Sequence, residues 1–129
     1  MLTKRRICAA LVMASIAALA RPAFAHDSEL GPNGGPMVEV KGLHLELIVK
    51  GADLAVVLSD AGHAPLASKG ASGRAVILES SGQRTVQLTA IEPDRLTAML
   101  DKPLTSGTRV VVSAKLATGQ DLLARFVVK

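Results

Sequence analysis

Turn residues recur at such short intervals along most of this chain that long helices are excluded. From residue 37 onward, runs of Val, Leu, Ile and Ala are broken about every 8–12 residues by clusters rich in Gly, Pro, Asp and Ser. The pattern predicts strands over 37–40, 43–49, 54–59, 74–79, 84–91, 95–100, 109–116 and 121–128. The breaks between them include Lys41-Gly42, Gly51-Ala52, Asp60-Ala61-Gly62, Ser80-Ser81-Gly82, Glu92-Pro93-Asp94 and Thr118-Gly119. Past the first 25 positions, no window longer than a turn or two carries a capped 3.6-residue period.

Seven to eight short antiparallel strands within a single domain spanning 37–129 fit an all-β sandwich of immunoglobulin-like architecture, with a small β-barrel as the second choice. The best-specified piece is the hairpin around Gly51-Ala52. A two-residue turn there places Val49 opposite Leu54, Leu47 opposite Val56 and Leu45 opposite Leu58. Both apolar sets then share the core face, while His44 falls opposite Ser59 and Glu46 opposite Val57 on the other face. With one Phe beyond residue 25, the core must be filled by Leu, Val, Ile and Ala.

The first 25 residues read as a leader. Met1 to Arg6 are positively charged, Ile7 to Ala20 form an apolar stretch, and Ala23-Phe24-Ala25 is a small-x-small cleavage site. That is the layout of a secretory signal peptide, and the stretch is shorter than the ~18 residues a membrane span requires. Arg5-Arg6 leaves both the general secretory and the twin-arginine routes open. Cleavage after Ala25 removes Cys8, the only cysteine, so the exported chain has neither disulfide nor thiolate. The expected compartment is the periplasm, with no membrane span after cleavage. Residues 26–36 read as a flexible N-terminal segment.

The formal charge of +4 belongs to this leader. Four of the fifteen basic residues lie within it and all eleven acidic residues lie beyond it, which leaves residues 26–129 neutral. A neutral body without Trp or Tyr has neither the basic footprint nor the stacking rings of a nucleic-acid binder. Catalytic signatures are missing too: no nucleophile sits in an elbow motif and no two acids are framed as a pair, so a non-enzymatic role is expected.

Few residues remain to carry chemistry. His44 and Glu46 leave the same face of one strand about 7 Å apart. They can share a divalent ion of Zn or Cu(II) type, or form an ordinary surface hydrogen-bonded pair. His63 follows the Asp60 turn, and a straight continuation of its strand would carry it about 13 Å from His44's partner, so meeting His44 requires the loop to fold back. His26 becomes the N-terminal residue after cleavage, where its α-amine and imidazole can chelate together. Met37 and Met99 are either soft Cu(I) ligands or core fillers. Gly31-Pro32-Asn33-Gly34-Gly35-Pro36 is glycine-rich but follows no strand, opens no helix and lacks the Lys and Ser/Thr of a phosphate loop.

Gly31-Pro32-Asn33-Gly34-Gly35, Gly42-Leu43-His44-Leu45-Glu46-Leu47 and Leu58-Ser59-Asp60 with Pro65 following resemble a set of small exported proteins with a Gly-Pro-Asn/His-Gly-Gly lead-in and a Gly-x-x-His-x-Glu-Leu strand. Ala71-Ser72-Gly73-Arg74 and Leu123-Ala124-Arg125-Phe126 extend that likeness. About the first 30 of these residues are also similar to the N-terminal segment of periplasmic adaptor subunits of heavy-metal efflux pumps. Asn33 stands where the adaptors carry a His, and the adaptors' further domains have no counterpart here. The resemblance implies a periplasmic buffer or chaperone for Cu or Zn ions, associated with heavy-metal efflux or resistance and possessing an efflux adaptor or other envelope protein as partner. It points to His44 and Glu46 as ligands, with His26 and His63 as the remaining metal candidates. The competing expectation is a β-sandwich module that docks on an envelope complex through a strand edge or the His44 face without binding metal.

Overall fold

The structure, a computed structural model, describes residues 29–129. The expected leader and His26 lie outside the described residues. Nine antiparallel strands form β1 (Glu29–Leu30), β2 (Pro36–Val40), β3 (Leu43–Lys50), β4 (Asp53–Ser59), β5 (Ser72–Glu79), β6 (Gly82–Ile91), β7 (Arg95–Met99), β8 (Arg109–Lys115) and β9 (Asp121–Val127). They join in the order β1-β2-β3-β4-β7-β6-β5-β8-β9 and curl into a half-barrel, an all-β architecture of the sandwich or small-barrel kind.

The β3–β4 hairpin adopts the expected register throughout, from His44 opposite Ser59 to Lys50 opposite Asp53. Gly51 takes φ +59°, a conformation that glycine adopts without steric cost. Curling depends on β6, whose ten residues serve two neighbours. Residues 82–88 pair with β5 and residues 89–91 pair with β7, so one strand carries the sheet around the bend.

The concave side is the core. Leu45, Leu47, Leu54, Val56 and Leu58 from β3 and β4 face Ala75, Ile77, Val110, Val112, Leu122, Ala124 and Phe126 from the other wing, and Leu96 of β7 is fully buried with them. Each large aliphatic side chain removed from water contributes about 1.5–3 kcal/mol. Where the half-barrel comes closest to closing, β2 lies against β9, and Lys41 Nζ donates to the Asp121 carbonyl at 2.9 Å. Ser68, fully buried, ties the long β4–β5 connection to the β6–β7 turn: its Oγ donates to the Ile91 carbonyl at 2.8 Å and its amide to the Pro93 carbonyl at 2.9 Å.

The segment expected to be flexible is folded onto the sheet from residue 29. Its first two described residues pair with β2, and Gly31–Gly35 forms a turn closed by Gly31 N–H to the Gly35 carbonyl at 2.7 Å. What anchors this turn also redefines one of the expected metal ligands.

Candidate functional site

Glu46 lies on the outer face of β3, yet it is only 2% exposed, because the Gly31–Gly35 turn covers it. Its carboxylate accepts hydrogen bonds from the Asn33 amide at 2.9 Å, the Asn33 side-chain Nδ2 at 3.0 Å and the Gly35 amide at 2.9 Å. Both oxygens are therefore engaged. Bonds to an ionised acceptor are the stronger class, so the carboxylate acts as a clamp. The glycines follow from it. A Cβ on Gly31 would lie 2.2 Å from Glu46 Cδ, and one on Gly35 would lie 2.0 Å from the Leu47 carbonyl oxygen, while Gly34 takes φ +82°. The Gly-Pro-Asn-Gly-Gly segment and Glu46 are thus two halves of one structural device. In this arrangement Glu46 is a loop anchor, with both of its oxygens bonded to the turn rather than turned toward His44.

His44 finds another neighbour. Its strand neighbours on the outer face are Glu39 of β2 and Ser59 of β4. Its Nδ1 lies 3.0 Å from the Asp60 carbonyl oxygen, which can only accept; Nδ1 therefore carries the proton, and in the neutral ring Nε2 keeps its lone pair.

The loop after β4 does fold back. Asp60 Oδ1 accepts from the amides of Gly62 and Ala64, each at 2.9 Å, while the Asp60 amide donates to the Ala64 carbonyl at 2.8 Å. Ser59 then forms an isolated bridge with Pro65. This compact turn swings His63 onto His44. Their ring centroids are 4.3 Å apart and the ring planes differ by 21°, a stacked pair. His63 takes φ 65°, a left-handed conformation sparsely used by residues with a Cβ.

A cleft of about 290 Å³ runs between the clamped turn and the Asp60 turn, lined by Asn33, Met37, Val57, Ser59, His63 and Arg95 among others. Met37 is buried beside Glu46 on this outer side, apart from the main core, so it is neither a free surface thioether nor a central core filler. Met99 is 81% exposed and borders a separate depression near Ile48, Lys50 and Asp53. Among the described residues, no three His, Cys, Asp or Glu side chains gather at metal-binding spacing. Of the four expected metal candidates, two meet (His44 and His63), Glu46 is committed to the loop, and His26 lies outside the described residues.

Neither the carboxylate clamp nor the histidine stack was read from the sequence. The spacing of Glu46 behind a Gly-Pro-x-Gly-Gly run offered a signal for the first. The second had only the Asp60-x-Gly62 turn, whose Asp is suited to capping nearby amides.

No family model, no curated protein and no solved structure matches the chain.

Proposed function

We propose that the chain is an exported metal-binding protein of buffer or chaperone type that takes Cu or Zn ions in the periplasm, in association with heavy-metal efflux or resistance. The observation that carries this reading is the His44–His63 pair, in which the Asp60 carbonyl fixes the His44 tautomer and leaves Nε2 as the free donor. Ligating histidines usually donate their other ring N–H to a carbonyl or carboxylate in this way. Chelation at about 2.0–2.1 Å from each nitrogen brings two tetrahedral ligand atoms to about 3.3 Å from each other. In the stack the ring centroids are 4.3 Å apart and the planes differ by 21°, so the two sets of lone pairs run side by side, and the exposed His63 side chain must rotate out of the stack for both rings to turn a nitrogen toward one ion. His26, with its free α-amine after cleavage, is the proposed completing ligand. The signal-peptide layout and the likeness to small exported proteins and efflux adaptors support the compartment and the link to efflux.

The test is a histidine-selective NMR titration of the untagged exported chain with Zn(II), Cu(II) and, under reducing conditions, Cu(I). The expected result is concerted movement of the His44 and His63 resonances at stoichiometric metal. His44→Ala and His63→Ala each weaken binding by more than about tenfold, while Glu46→Gln leaves the ligand resonances responding. Imidazoles that stay unmoved at excess metal would overturn the proposal and leave the docking-module reading in its place.

A further inference from the structure

The convex face of β6, β5, β8 and β9 is unusual for the outside of a sheet in a chain whose body is neutral. Across it run registered rows of side chains. Leu78, Arg109 and Val127 form one, Val76, Val111 and Arg125 the next, and Arg74, Ser113 and Leu123 the third. Lys115 and Asp121 follow as a cross-strand pair. Four cations therefore face a single carboxylate. Among the described residues none of these four makes a side-chain hydrogen bond or ion pair, in contrast to Arg84, which bonds Glu79 and Asp101. Between the cations, Leu78, Leu123 and Val127 are 36%, 50% and 53% exposed. Where the face meets the end of β2, a cleft of about 730 Å³ opens, bordered by Lys41, Arg74, Lys115 and Asp121 with Ser113 and Leu123.

We propose that this face is a docking surface for an acidic, aliphatic-bearing extended segment of a partner protein, seated in the Arg74–Lys115 cleft. Charge complementarity selects the occupant's sign, since the face carries a local cationic excess within a body that sums to zero. Outward positions lie about 7 Å apart along each strand, and on β9 Leu123, Arg125 and Val127 run apolar, cationic, apolar, a spacing matched by a chain whose acidic and aliphatic residues alternate. A bilayer is the poorer fit. The face carries none of the aromatic side chains that anchor proteins at lipid interfaces. The surface is separate from the histidine pair, so docking stands or falls independently of metal binding.

The experiment is an amide NMR titration of the ¹⁵N-labelled chain with a short synthetic peptide alternating glutamate and valine, repeated at low and high salt. Support is a set of shifts centred on Arg74, Ser113, Lys115 and Leu123 that weakens with salt. Arg74→Glu and Lys115→Glu should each lower affinity by more than about tenfold. Lys50→Glu on another part of the surface, and His44→Ala, should leave it unchanged. Because all of these side chains except His44 are exposed, the variants are expected to fold; Leu123→Ser, which removes only apolar contact, should still weaken binding several-fold. The proposal is overturned by an absence of shifts, by shifts spread over the whole surface, by equal loss in Lys50→Glu, or by binding to phosphatidylglycerol vesicles without binding to the peptide.

Discussion

At the scale of single residues, a buried carboxylate with no ion pair among the described residues depends on hydrogen-bond donors for its place, and Glu46 has three of them from one five-residue turn. Glu46→Gln keeps the volume but turns an NH₂ group toward amides that also donate. The expected cost is about 2–4 kcal/mol in chemical denaturation, with the Gly35 amide losing protection from hydrogen exchange before the core does. Gly35→Ala should dislodge the same turn by another route, because its Cβ meets backbone rather than a movable side chain. Gly62→Ala is the matched control, since the nearest atom to its Cβ is the Asp60 carboxylate oxygen at 3.5 Å. A Gly35→Ala variant with wild-type stability and exchange would show that the turn is not held as described.

At the scale of elements, the Asp60 turn is the device that sets the site. One carboxylate oxygen caps two amides and the Asp60 carbonyl receives both the His63 amide and the His44 ring, so the turn and the stack form one hydrogen-bonded unit. Asp60→Ala is expected to cost about 1–2 kcal/mol, since two amides on the exposed turn lose their acceptor. It should also abolish the ring-to-ring nuclear Overhauser effects between His44 and His63. Under the proposed function it should weaken metal binding even though no ligand has been removed, and a variant that keeps full affinity would separate the turn from the site. The β3–β4 hairpin behaves differently. Its register follows from a two-residue turn and period-two alternation, both local properties, and every expected cross-strand pair is present.

At the scale of the whole molecule, the curled sheet leaves its two wings joined through β6 and held together by what they bury between them. Phe126, 2% exposed on the terminal strand β9, is the largest core side chain contributed by that edge. Phe126→Ala should cost about 3–5 kcal/mol, a large part of the ~5–15 kcal/mol available to a domain of this size, read as a lower denaturation midpoint. A loss below 1 kcal/mol would mean that the wing collapses onto the gap or never depended on the ring. Arg84 of β6 ties Glu79 at the end of β5 to Asp101 beyond β7. Hydrogen bonding and charge from Glu79, with a smaller contribution from Asp101, raise its pKa further above its ordinary value.

The sequence alone determined the all-β class, eight of the nine strands to within two residues at every boundary, and the face on which His44 and Glu46 emerge. Strand alternation and turn chemistry are short-range properties, so they are written in neighbouring residues. The strand left unread, β1, is a two-residue pairing with too little periodicity to read. Only the tertiary structure decided that Glu46 belongs to the Gly31–Gly35 turn, that His63 stacks on His44, and that β6 serves both wings. Each of these depends on where a loop or strand lies relative to residues distant in the chain. That path is set by hydrogen bonds and packing across the fold, which side-chain order along the chain does not encode by itself.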